Sequence, residues 1–165
     1  MSSCNFAKVS ISNPAEFEVL VCAGTLPRHT RKMVVLSCYI SPGYTVSRGK
    51  DFITDAVLEM KRKFRDPYLI VAGDFNQWEI GAALSDYHDI READIGPTRG
   101  SRSIDKIFTN FGDHVIEAGS YPPLEMDAAT EERIRRSHKI AHISAEHPRF
   151  GSFKRLAYSC HYLDP

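Results

Sequence analysis

The chain has 165 residues, 42% hydrophobic and 25% charged, and its 21 Lys and Arg balance 21 Asp and Glu. That length and composition suit one soluble globular domain, residues 1–165, with a real apolar core. A net charge of zero argues against nucleic-acid binding driven by overall charge. It leaves open local basic patches at 28–32, 61–65 and 133–139, although most such runs are solvated faces.

Two further exclusions follow from the same sequence. No apolar run approaches the ~20 residues of a membrane helix, and the N-terminus lacks a basic segment followed by an apolar one, so neither a membrane span nor a signal peptide is expected. Cys4, Cys22, Cys38 and Cys160 show no two-residue spacing of a zinc or redox motif, which fits a reduced intracellular protein.

Taken in order, the chain opens on a strand-like pattern with Phe6, Val9 and Ile11. Two apolar, β-branched runs follow at 17–22 and 32–40, separated by a turn-prone stretch at 24–30. Met33 to Leu36 is apolar without a break, as in a strand buried on both faces. Residues 51–64 form the clearest helix, with Ile53, Ala56, Val57, Met60 and Phe64 at helical spacing. Lys61, Arg62, Lys63 and Arg65 stand at its C-terminal end, where cations complement the helix dipole. Asp66-Pro67 stops it, and 68–72 is a short buried strand running into Gly73-Asp74. A strand, a helix and a strand in succession imply an α/β layered fold. A short helix is expected at 79–84, then strands at 90–93, 103–109, 114–119 and 138–145, with a long polar loop at 121–136.

The chemistry concentrates at Gly73-Asp74-Phe75-Asn76. A segment just past a buried strand can project side chains into the crevice beyond the sheet, where α/β proteins bind ligands. Asp74 can act as a general base and Asn76 can donate its amide N–H to a phosphate oxygen. The alternative is that both residues simply make a turn. Further on, Asp105 interrupts an apolar strand, and a buried carboxylate needs a partner. A histidine such as His138 would serve, held in one tautomer and able to stabilise a phosphate charge. A strand-edge Asp105 facing water is the alternative. Trp78 could stack on a base at the rim of a cleft or pack over the sheet edge. His138 and His142 are four apart, a metal spacing on a helix but not on the strand expected here.

The order and spacing of these pieces resemble the endonuclease/exonuclease/phosphatase superfamily, and within it the endonuclease region of non-LTR retrotransposon polyproteins. The likeness covers about 17–148. It rests on Val35 to Pro42 as a strand ending in tyrosine and proline, on Gly73-Asp74-Phe75-Asn76, on Ser103-Ile104-Asp105-Lys106-Ile107, and on Ser137-His138-Lys139-Ile140. It implies a four-layer α/β sandwich of the deoxyribonuclease I-like type. It further implies that Asp74 orients or deprotonates the attacking water and that Asn76 holds the scissile phosphate. Asp105 would pair with His138 on the phosphate, Tyr39 would project toward it, and Arg48 would reach a backbone phosphate. Mg²⁺ or Mn²⁺ would be the cofactor and DNA the partner, with a nuclear site of action for a retroelement endonuclease.

Two departures from the family pattern matter. The family's first strand Asn and its metal-binding Glu precede the region matched here, and neither Glu16 nor Glu18 stands in their context, so the N-terminal strands of the sandwich are expected to be missing. Ser137 occupies the usual place of an Asp. Asp74 is therefore left as a weak metal candidate. The expectation is a retroelement-type DNA-nicking endonuclease, weak or inactive as this chain. Two alternatives are a catalytically dead remnant that binds phosphate or nucleic acid, and a phosphatase of the same fold. An incomplete sheet would also favour self-association or a partner that supplies strands.

Overall fold

The computed structural model describes residues 6–11, 17–26, 29–40, 43, 45–76, 78–98, 101–121, 140–147 and 151–158. It is a mixed α/β fold with a six-stranded sheet and few helices. The strands in chain order are β1 (Phe6–Val9), β2 (Glu18–Thr25), β3 (Lys32–Tyr39), β4 (Tyr68–Asp74), β5 (Arg91–Ala93), β6 (Asp105–Thr109), β7 (Val115–Tyr121), β8 (Ile140–His147) and β9 (Gly151–Tyr158). Helix α1 (Val46–Lys63) lies between β3 and β4, and α2 (Gly81–His88) between β4 and β5. The six-stranded sheet has the order β1-β2-β3-β4-β6-β5, and β7-β8-β9 form a second, three-stranded sheet.

Only β3 and β4 pair in parallel, as a crossover through α1 requires; the other neighbours in the large sheet are antiparallel. Alternation along these strands builds two cores. Val34, Leu36, Leu69, Val71 and Phe108 face α1 and pack on its Phe52, Ile53, Val57 and Met60. Met33, Ile70, Ala72 and Ile107 face the other way, into a cluster that also takes Val115 and Ala118 from β7. The small sheet therefore lies on the side opposite the helices. Every residue of β4 is buried, the result of having a strand on each edge and a packed layer on each face.

Most sequence expectations match to within a few residues, and the exceptions have identifiable causes. Helix α1 begins at Val46, five residues before the expected start. Its N-cap residue, Thr45, is of a usual type but makes no side-chain cap bond, while the first turn carries no acidic residue and Gly49, a poor helix former, interrupts the early turns, so the pattern strengthens only from Asp51. The short helix runs Gly81–His88 rather than 79–84 and ends on Asp89 in the left-handed region. Strand β9 was not expected. Lys154 and Arg155 interrupt its apolar residues and mask the alternation. The expected loop lies outside the described residues beyond Tyr121. Among the described residues no helix is long and apolar enough to cross a membrane.

Arg31, a cation of the first basic patch, makes a structural clamp. Its guanidinium bonds the Asp66 carbonyl at 2.7 Å and carboxylate at 2.9 Å and lies 4.1 Å over the Tyr68 ring. The turn leading into β4 is thereby tied to the β2–β3 connection.

Candidate functional site

Strand register assembles the site. In the β3–β4 ladder Tyr39 is paired with Asp74, and in the β4–β6 ladder Asp74 is paired with Asp105. The three residues therefore form one row across three adjacent strands, with about 5 Å between neighbouring backbones. All three share the face that carries Ile70, Ala72 and Ile107, the face toward the small sheet. The row closes the carboxyl ends of β3 and β4, where open α/β sheets bind ligands. Asp74 and Asp105 are each only 4% exposed, while Tyr39 is half-buried.

The Gly73-Asp74-Phe75-Asn76 segment is fixed from several sides. A Cβ on Gly73 would fall 1.8 Å from the Cys38 carbonyl oxygen, so glycine permits the close approach of β4 to β3. The Asp74 Oδ1 accepts the Asn76 backbone N–H at 2.8 Å. Asn76 sits at φ 52°, the left-handed region that Asn tolerates better than most residues. Its amide Nδ2 donates to the Ile40 carbonyl at 2.7 Å, which ties the exit of β4 to the exit of β3. An amide has two N–H donors, so one can serve the chain and the other a ligand. The Phe75 N–H bonds the Ile104 carbonyl at 2.9 Å, and its ring packs edge-on against Phe108.

Asp105 has a backbone support that sequence reading missed. The Thr98 hydroxyl oxygen accepts both the Ile104 N–H at 3.2 Å and the Asp105 N–H at 3.1 Å. Thr98 is itself held by its N–H to the Arg102 carbonyl, and Ser103 Oγ donates to the Gly96 carbonyl nearby. No local pattern announces this role, because the bonded amides lie six and seven residues downstream. Thr98→Val should leave two buried N–H groups unpaired and cost about 2 kcal/mol or more, whereas Thr98→Ser should restore most of it. Urea unfolding of the three proteins measures the difference.

The other expected site residues are distributed as follows. Arg48 is exposed on the first turn of α1, which leaves the sheet at the same end as the row. Trp78 is 5% exposed and belongs to the helix-side core; a Cβ on Gly49 of α1 would strike its ring. Its indole is thus packed between α1 and the sheet rather than standing at a cleft rim, the second of the two roles open to it. Ser137 and His138 lie outside the described residues. Among the described residues no group of three His, Cys, Asp or Glu side chains is placed to hold a metal ion. Asp74 and Asp105 offer two hard carboxylates, a set that suits Mg²⁺ or Mn²⁺ only with water and phosphate oxygens filling the remaining positions.

On the helix side of β6, Lys106 is buried with its Nζ 3.1 Å from Glu79 and 3.9 Å from Glu92. Burial pushes the Glu92 carboxyl above its usual 4.5; Lys106 pulls it down, and Glu79 and Asp94 push it up again. A carboxyl whose value is raised by folding favours the fold when protonated. Its contribution is complete below 4.5 and is lost as pH climbs through the raised value. Glu92→Gln should therefore melt higher than wild type at neutral pH, with the two melting curves converging near pH 4. The gap should be modest, because Glu92 remains partly exposed.

No protein-family model matches the chain, and no curated protein is similar to it. Among solved structures, an endonuclease/exonuclease/phosphatase family protein from Bacteroides thetaiotaomicron superposes with a TM-score of 0.49 at 13% sequence identity. The match covers 83% of this chain and 51% of that one, so the chain spans about half the length of that structure.

Proposed function

We propose that the chain is a phosphodiesterase-type hydrolase of the endonuclease/exonuclease/phosphatase kind, a retroelement-type endonuclease acting on DNA in the nucleus, with weak nicking at most as this chain. The observation that carries this reading is the in-register row of Tyr39, Asp74 and Asp105 at the carboxyl ends of β3 and β4. A hydroxyl donor and two carboxylates in one row match the needs of phosphodiester hydrolysis, which are a base for water and donors for the phosphate. Asp74 takes the proton of the attacking water, whose oxygen bonds to phosphorus as the bond to the leaving sugar oxygen breaks, and that oxygen takes a proton from solvent. Asn76 holds the scissile phosphate through its second amide N–H, and Tyr39 donates its hydroxyl to the same group. His138, two residues ahead of β8, pairs with Asp105 and stabilises the negative charge that develops on the phosphate oxygens. Arg48 takes a neighbouring backbone phosphate.

Mg²⁺ or Mn²⁺, when bound, supplies polarisation of the phosphoryl group, with Asp74 as its weak protein ligand. The architecture we infer is the deoxyribonuclease I-like four-layer sandwich, with the small sheet as part of its second sheet. Supercoiled plasmid incubated with the protein and Mg²⁺ tests the reading. Relaxation to the nicked circle is expected, with loss of nicking in Asp74→Ala, and nicking that persists undiminished in that variant overturns the assignment.

A second reading has its own observation in the absence of a three-group metal set among the described residues. It makes the chain a non-catalytic remnant that retains phosphate or nucleic-acid binding. Tight Mg²⁺ binding in a calorimetric titration would count against it, and an inert wild type that still binds DNA would favour it.

A further inference from the structure

A lysine that interrupts a buried strand calls for an explanation beyond packing. The Lys106 side chain is 6% exposed, on the helix side of β6, directly behind Asp105 on the opposite face. Its backbone is paired with Gly73. Its ammonium reaches Glu79, which follows Asn76 by three residues, and stands near Glu92 on β5. Gly81, the first residue of α2, lies over the same spot, since a Cβ there would touch Phe108 and the Glu92 carboxylate. Lys106 thus joins three segments: the strand carrying Asp105, the stretch that leaves Asn76, and the sheet edge.

The pair is a poor source of net stability. Lys106 loses its hydration on burial, and the Glu79 side chain is 83% exposed, so solvent screens the attraction. An apolar side chain beside Phe108 on the same face of β6 would serve packing at least as well. What the ion pair adds is direction. Phe75 and Asn76 are tied by directional bonds to the Ile104 and Ile40 carbonyls, and the 3.1 Å bond from the buried ammonium to Glu79 adds a further directional tie beyond them on the same segment.

We propose that Lys106 is a positioning residue for the phosphodiesterase site, an inference that rests on that reading of the row. Held by Glu79, it pins the segment after Asn76 against β6 and so fixes Asp74 and Asn76 relative to Asp105. Lys106 touches no reacting group; it acts through the segment it pins.

Amide hydrogen exchange read residue by residue, together with plasmid nicking, tests this in wild type, Lys106→Met, Lys106→Arg and Glu79→Gln. In Lys106→Met and Glu79→Gln the Phe75 and Asn76 amides should exchange about tenfold faster while Val71 stays as in wild type, the pattern of local opening. Turnover should fall about tenfold with KM little changed, as for misplaced reacting groups. Lys106→Arg, which keeps a donor to Glu79, should restore both. Unchanged exchange at Phe75 and Asn76 in either uncoupled variant overturns the proposal. Should Lys106→Met fail to fold, Glu79→Gln carries the same test, because Glu79 is a surface residue. Nicking that is absent from wild type, or indifferent to Asp74→Ala, strikes the proposed function instead, and the exchange comparison still decides what Lys106 does.

Discussion

Gly73→Ala is expected to destabilise the protein by about 3 kcal/mol or more, among the largest losses from adding one methyl group. The cause is steric and local. The new Cβ would lie 1.8 Å from the Cys38 carbonyl oxygen and 2.8 Å from its carbonyl carbon. Neither obstacle is the free end of a flexible side chain, so the strands themselves must separate. Separation breaks the β3–β4 ladder where it pairs Tyr39 with Asp74, and it strains the bond from the Ile40 N–H to the Asp74 carbonyl. Stability and site geometry should therefore fail together. Gly43→Ala is the control, since a Cβ there meets nothing within 4 Å. It should unfold at the wild-type urea concentration, while Gly73→Ala unfolds far earlier or does not accumulate as folded protein.

That experiment also bears on what a reader of the sequence can and cannot see. The strand before Gly73 and the helix before that strand announce themselves by apolar continuity and by helical spacing, since both patterns are local. The need for glycine at 73 is a different matter, because it depends on the Cys38 carbonyl brought against it by the β3–β4 pairing. The row was legible only through the family resemblance, not from any local pattern. Asp74 and Asp105 are neighbours because β6 inserts between β4 and β5, and nothing near either residue encodes that order. Thr98 was missed for the same reason. Lys106 left a readable trace, a cation beside Asp105 in an otherwise apolar strand, whose meaning depended on Glu79 across the fold. Trp78 shows the complementary case: an aromatic two residues after Asn76 could stack on a ligand or pack on the sheet, and the slot that Gly49 opens on α1 selects packing. Pairing order and tertiary slots are long-range facts, and they decide which side chains meet.

Asp74 offers the sharper functional test, because two substitutions there should separate its charge from its hydrogen bond. The carboxylate accepts the Asn76 N–H at 2.8 Å and stands beside Asp105, with both residues buried. Like charges at directly paired positions of a sheet oppose folding. Asp74→Asn keeps an oxygen for the Asn76 amide and removes the repulsion, so its stability should stay within about 1 kcal/mol of wild type or rise. Asp74→Ala removes the acceptor and leaves a part-buried N–H without one, at a loss of about 1.5–3 kcal/mol. Nicking should respond differently. If Asp74 takes the proton of the attacking water, the amide cannot replace it, and both variants should lose at least about a hundredfold in rate. A stable Asp74→Asn with impaired nicking identifies the carboxylate as chemical machinery kept against the interest of the fold, the usual stability–activity opposition at an active site. An Asp74→Asn that is both stable and fully active would make the residue a turn former, and the row of Tyr39, Asp74 and Asp105 would then be structural.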